Sequence, residues 1–381
     1  MYAQTTMNPF PAAGNMNGTS KRKTSGFTLV EILVVIVIIG ILMGLAVPAI
    51  FTAIGTAKST KMRLEVGTLQ DAVNQYEQKY GDFPPDFSDW AVVERHYRKI
   101  FPRISPLELN RLRLLTDVEP SNDFGPASAT AAQHDPTALD RGEVLAWVLG
   151  GYSSNPLTPF TGSGGPLEQV ADPSLVVFQV NTDTDNKLYD FKGGLDLGEI
   201  SPGAPISRTN RYLSADGDVF LSFAAHDDGA PFVYFDSRSY TYFDQNIGDF
   251  NGYGSNQYGV VRPYFSDQVV ANPSGNNYAT PLAALRAWRF LEPDTFQIIA
   301  PGVDGNFGST ATVSGLPLYY QYPTGKAIMP ITGVNAPGLL VRNDVSRFQE
   351  PLPPIFTGPD HFQQDNLANF SRAKFVDDVE E

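Results

Sequence analysis

The chain has 381 residues, 42% of them hydrophobic, with 34 glycines and 30 prolines: enough apolar material for a core, and enough turn residues to make it loop-rich. Its formal net charge of −14 repels phosphate backbones and argues against a nucleic-acid-binding basic face. The absence of cysteine excludes disulfides, thiolate metal sites and cysteine nucleophiles together.

The first 26 residues carry Lys21, Arg22 and Lys23 and no acid, and from Ile32 to Ala57 there is no charge at all. A helix over Phe27 to Phe51 would be about 37 Å long, enough to cross a bilayer core. The basic cluster before it favours an amino end kept in the cytoplasm. Glu31 breaks the apolar pattern near its start. A carboxylate at the centre of a membrane helix costs about 2.5 to 3.5 kcal/mol, and less near the interface. Glu31 therefore either rests in the headgroup layer or pairs with a positive group. An ordinary secretory signal would be cut after the apolar run, near Ala53-Ile54-Gly55 or Gly55-Thr56-Ala57, and has no need of an internal glutamate.

Gly26-Phe27-Thr28-Leu29-Val30-Glu31 resembles the prepilin processing motif of type IV pilins and type II secretion pseudopilins. The resemblance implies a leader over residues 1–26, cleavage between Gly26 and Phe27 by a prepilin peptidase, and N-methylation of Phe27. Glu31 then stands at the family's glutamate position, where it can neutralise the new amine of a neighbouring subunit. A buried charge pair of that kind favours one fixed axial register. Pro48 stands where pilins carry a helix-bending proline. The implied partners are the peptidase and methyltransferase, an inner-membrane assembly platform, the membrane, and other pilin-like subunits packed through residues 27–51.

Beyond Pro48 the pattern becomes amphipathic. Met62, Val66, Leu69, Val73, Tyr76 and Tyr80 alternate steps of four and three and so share one helical stripe over residues 52–80. Gly81 sits in the C-cap position, and Pro84-Pro85 blocks resumption. A helix from Phe27 to Tyr80 would be about 81 Å long, with Pro48 bending or loosening it. The stripe could serve a coiled coil, but packing on the chain's own sheet is the expectation. This is also the arrangement that the resemblance implies: an α+β, pilin-like fold with a long amino-terminal helix on an antiparallel sheet.

Residues 81–381 form the head, enlarged and loop-rich. Short helical patterns cover Trp90 to Phe101 and Arg141 to Leu149, with an exposed loop over Glu119 to Asp140. Strand patterns cover Leu175 to Val180, Val219 to Phe223, Phe232 to Phe235 and Phe296 to Ile299. The middle two read as an antiparallel pair around Asp227-Asp228-Gly229. Asn251 to Asn277, rich in Gly, Asn, Tyr and Ser, reads as a long ordered loop. Gly81 to Pro85, Pro231 to Tyr240, Phe296 to Gly308 and Gln364 to Phe370 each resemble segments of pseudopilins.

Major pseudopilins carry a Gly-x-Asp-Gly turn and later aspartates that bind calcium. Gly302-Val303-Asp304-Gly305 resembles the turn, and Asp365, with Asp360 nearby, the later acids. Calcium needs six to eight oxygens and a bend that glycine permits. The competing reading is a plain turn at Val303 to Asn306, with the aspartate bonding its own backbone. Asn181 to Asn186 superficially resembles a calcium-binding EF-hand loop, but Asn186 and Lys192 stand where that loop needs Gly and Glu, so it reads as an exposed turn. His96, His134, His226 and His361 contain no zincin-like i, i+4 pair. No P-loop, dinucleotide or Gly-x-Ser-x-Gly signature is present. The expected function is a non-enzymatic filament subunit of a type II secretion system, anchored by a single pass in the inner membrane with a periplasmic head. A type IV pilus subunit or adhesin is the alternative, and a membrane-anchored periplasmic enzyme a distant one.

Overall fold

The computed structural model describes residues 27–116, 139–169, 178–181, 183–191, 220–224, 229–244, 249–255, 259–269, 285–286, 288–308, 312–313, 316–331, 338–342, 348 and 363–379. The chain forms two units, Met1–Ile54 and Gly55–Glu381. Helix α1, Leu29–Tyr80, contributes to both.

In the first unit every described residue is exposed. The helix is apolar on all sides, with a mean hydropathy of 3.0 over its most apolar stretch. Helical backbone satisfies its own N–H and C=O groups, so such a segment is stable in lipid without any partner.

In the second unit α1 buries Met62, Val66, Leu69, Ala72, Val73 and Tyr76; this is the stripe that the spacing predicts, with Ala72 added and Tyr80 only half-buried against the core. Gly81 ends the helix at a φ of 73°, a left-handed value that glycine adopts without a Cβ penalty. Its N–H donates to the Glu77 carbonyl at 2.6 Å. Among the described residues three shorter helices follow: α2 (Trp90–Ile100), α3 (Pro106–Leu115) and α4 (Val144–Leu149). Asp89 caps α2 by accepting the Ala91 N–H at 2.8 Å.

Eight strands build two sheets: β1 (Val233–Asp236), β2 (Phe265–Val269), β3 (Trp288–Phe290), β4 (Phe296–Ala300), β5 (Tyr319–Tyr322), β6 (Ala327–Ile331), β7 (Gly338–Arg342) and β8 (Leu367–Ala368). The first sheet has the order β8-β4-β1, all antiparallel. The second has the order β7-β6-β5-β2-β3, antiparallel except where β5 runs parallel to β2. The architecture is α+β.

The first sheet is buried on both faces. Tyr234, Phe296, Ile298, Ala300 and Leu367 join the α1 stripe, α2, α3 and α4 in one core. Val233, Phe235, Ile299 and Ala368 join Phe265, Phe290, Tyr319 and Ile328 in the other. Period-two alternation thus divides one sheet between two cores.

Three sequence expectations change. Phe220 to Phe223 is not a strand: Phe232 N–H reaches the Phe223 carbonyl at 2.8 Å, but the ladder partner of β1 is β4, sixty residues later. Within Asn251 to Asn277, the described residues pair Tyr253–Ser255 with Gly259–Val261 and form β2, so those residues are strand where a loop is expected. In the Arg141 to Leu149 pattern the helix begins only at Val144, because Asp140 takes the N–H groups of Gly142 and Glu143, at 2.7 and 3.0 Å, in a turn. The loop expected over Glu119 to Asp140 lies outside the described residues as far as residue 138.

Candidate functional site

Of the predicted processing residues, Gly26 lies outside the described segment, and Phe27 is 81% exposed at its edge. Directly after it, Thr28 and Glu31 form a capping box. Glu31 Oε2 accepts the Thr28 N–H and the Thr28 hydroxyl, both at 2.8 Å, and Thr28 Oγ1 accepts the Glu31 N–H at 3.2 Å. The Thr-x-x-Glu spacing was readable in the sequence but missed there. The box fixes the carboxylate at the helix entrance. Among the described residues Oε1 takes no hydrogen bond, which leaves one oxygen for a group outside the chain.

Pro48 lies within α1. It has no N–H for the Gly44 carbonyl, and its ring crowds that residue. Thr52 Oγ1 donates to the Pro48 carbonyl at 3.0 Å.

A second polar cluster fastens the end of α1 to the head. His96 has no exposed surface and lies between Tyr76 OH, 2.8 Å from Nε2, and Asp82, 3.1 Å from Nδ1. Because a carboxylate only accepts, Nδ1 carries the proton and Nε2 accepts from the tyrosine. Arg238 binds Asp82 at 2.9 Å, Asp236 at 2.7 Å and the Phe83 carbonyl at 2.7 Å. Lys99 donates to the Gly81 carbonyl at 2.6 Å. Burial works against the Asp82 carboxylate, but the His96 hydrogen bond and the nearby Arg238 and Lys99 outweigh it and hold its pKa at about 2. A fully enclosed imidazole cannot reach a substrate, so this cluster is a joint, not a catalytic site.

The calcium expectation meets a mixed geometry. The structure brings Asp365 onto the Gly302–Asn306 turn across 61 positions: Asp365 Oδ2 accepts the Asp304 N–H at 3.3 Å. Asn366 Oδ1 accepts the Gly302 N–H at 3.2 Å. Asp304 Oδ1 takes the Asn306 N–H at 2.8 Å, as the plain turn predicts. Burial is the largest influence on Asp365 and raises its pKa. Asp360 lies outside the described residues. Among the described residues no three His, Asp or Glu side chains surround a common point. The second acidic segment is a turn, with Asp183 N–H bonded to Asn181 Oδ1 at 2.9 Å.

The bare apolar helix with one acid at its entrance is the feature that comparison with known proteins addresses. Residues 21–47 match the model of the prokaryotic N-terminal methylation motif. The match supports a type IV pilin-like subunit, and its span includes Gly26, Phe27 and Glu31. No curated protein and no solved structure matches the chain.

Proposed function

We propose that this chain is a pseudopilin of a type II secretion system: a filament subunit, not an enzyme. A prepilin peptidase cuts it between Gly26 and Phe27, and the new amino terminus is methylated. It then waits in the inner membrane as a single-pass protein with a periplasmic head. An assembly platform adds it to a filament through residues 27–51. The carrying observation is the capping box at the head of a helix whose apolar first half, as far as Ile54, is wholly exposed. It holds a carboxylate where an unpartnered charge is costly, with one oxygen left for the Phe27 amine of a neighbouring copy.

Intact mass and amino-terminal sequencing of the membrane-extracted protein test the processing step. The expected product begins at N-methylated Phe27; any other start refutes the reading. Glu31→Leu should leave the protein in the membrane and abolish filaments, and normal filaments from it would refute the pairing. Loss of exported hydrolases on deletion separates a secretion subunit from a pilus subunit, whose loss removes surface fibres instead.

The convergence of Asp365 on the Gly302–Asn306 turn favours a further reading, calcium held by Asp304 and Asp365 with backbone carbonyls. Calorimetry with calcium should then show a binding heat that Asp304→Ala removes.

A further inference from the structure

Within the head lies a cavity of about 200 Å³, bounded in part by α4 and by residues 180–191 and 220–223. An apolar cavity of about 150 Å³ already admits benzene, so this one has room for a single six-membered ring. Among the described residues its walls carry five aromatic side chains. Tyr189, Phe191 and Phe223 form one group, with ring centroids 4.7 to 5.9 Å apart. Trp147 and Phe220, 6.0 Å apart, form another. Two polar side chains on the lining, Glu143 and Ser222, are each only 1% exposed. The Asp140 N–H donates to Glu143 Oε2 at 3.1 Å and fixes that carboxylate. Lys187 and Asp190, both exposed, also line the cavity.

These walls narrow the class of occupant. Glu143 and Asp190 repel an anion, and Lys187 opposes an organic cation held on the rings. A wholly apolar molecule would take water from Glu143 and Ser222 and offer no hydrogen bond in return. A zwitterion would need a buried cation for its carboxylate, and the one cation on the described lining, Lys187, lies in solvent. A neutral ring with an apolar face and several hydroxyls meets all four conditions. We propose that the cavity binds one neutral sugar unit. The C–H face of a pyranose lies against an aromatic ring. Its hydroxyls donate to the Glu143 carboxylate, a charge-assisted bond, and meet the Ser222 hydroxyl. The assignment is independent of the filament reading.

The test is calorimetry on the full-length chain, solubilised in a detergent without a sugar headgroup. The probes are D-glucose, D-galactose, D-mannose and N-acetyl-D-glucosamine. Choline, phenylalanine and cyclohexanol serve as cationic, zwitterionic and apolar comparators. At least one sugar should give a saturable heat, and no comparator should. Phe191→Leu keeps the apolar bulk of a half-buried wall residue and removes its ring. It should weaken the sugar about tenfold with the thermal midpoint unchanged. Glu143→Gln keeps the shape and removes the charge, and should weaken it by a similar factor. Should that variant lose its fold, Phe191→Leu decides alone. Methyl glycosides separate two sources of the same chemistry: equal affinity assigns the cavity to the end of a glycan, weaker affinity to a free sugar, and either supports the proposal. No heat from any sugar overturns it, as does a sugar heat that Phe191→Leu leaves unchanged, or tighter binding of a comparator.

Discussion

His96 shows how burial and a partner set a pH response. Burial is the largest influence on it and lowers its pKa, with Arg238 and Lys99 pushing the same way and Asp82 opposing. The folded chain therefore binds this proton less readily than the unfolded chain, whose histidine titrates near 6.5. Stability is kept above that pH and lost as pH falls below it. The Asp82 contribution is present above 3.8 and disappears as pH falls toward about 2. We expect the thermal midpoint of the detergent-solubilised protein to fall in two steps on acidification. His96→Gln should remove the upper step and leave the lower one. At the Gly302 turn the constraint is steric: a Cβ there would overlap the Asp365 carboxyl group. Gly302→Ala should cost about 1 to 3 kcal/mol in denaturant unfolding by forcing the two apart. The Thr28–Glu31 capping box was readable in the sequence because its spacing is local. The joint was not, since Arg238 meets Asp82 across 156 positions.

At the scale of elements, α1 and α2 follow from spacing and caps. The α3 start was also readable, because Ser105 caps it, Pro106 occupies the first turn and Glu108 follows. Tertiary context then redirects Glu108. Its carboxylate accepts the N–H groups of Phe160 and Thr161 at 2.8 and 3.2 Å and the Arg111 guanidinium at 2.8 Å. Glu108→Ala should cost about 3 to 5 kcal/mol, because it strands a partly buried arginine and two backbone donors. Leu69, with no exposed surface, ties α1 to the core. Leu69→Ala should lower stability by about 2 to 5 kcal/mol in the same unfolding assay. The strands within Asn251 to Asn277 escaped a composition-based reading. Gly, Asn and Ser there signal turns, and although Tyr253–Ser255 pairs locally with Gly259–Val261, β2 is held by β5, distant in sequence.

Over the whole molecule, the described part of the first unit contributes no buried side chain, and burial in α1 begins at Met62. Removing residues 1–54 should therefore give a soluble head with the thermal midpoint of the detergent-solubilised full chain. A midpoint lowered by several degrees would show that the apolar helix stabilises the head. The sequence by itself determined a helix long and apolar enough to cross a membrane, the methylation motif at its start, the stripe on its second half and the α+β class. Each of these is written in periodicity or in a run of neighbouring residues, where local sterics and hydration decide the outcome. Only the tertiary structure decided that one sheet serves two cores, that β1 pairs with β4, that Asp365 lies on the Gly302–Asn306 turn, and that His96 is sealed inside a joint. Those contacts join residues far apart along the chain, and their free energy comes from burial and from charges paired out of water, which no local pattern records.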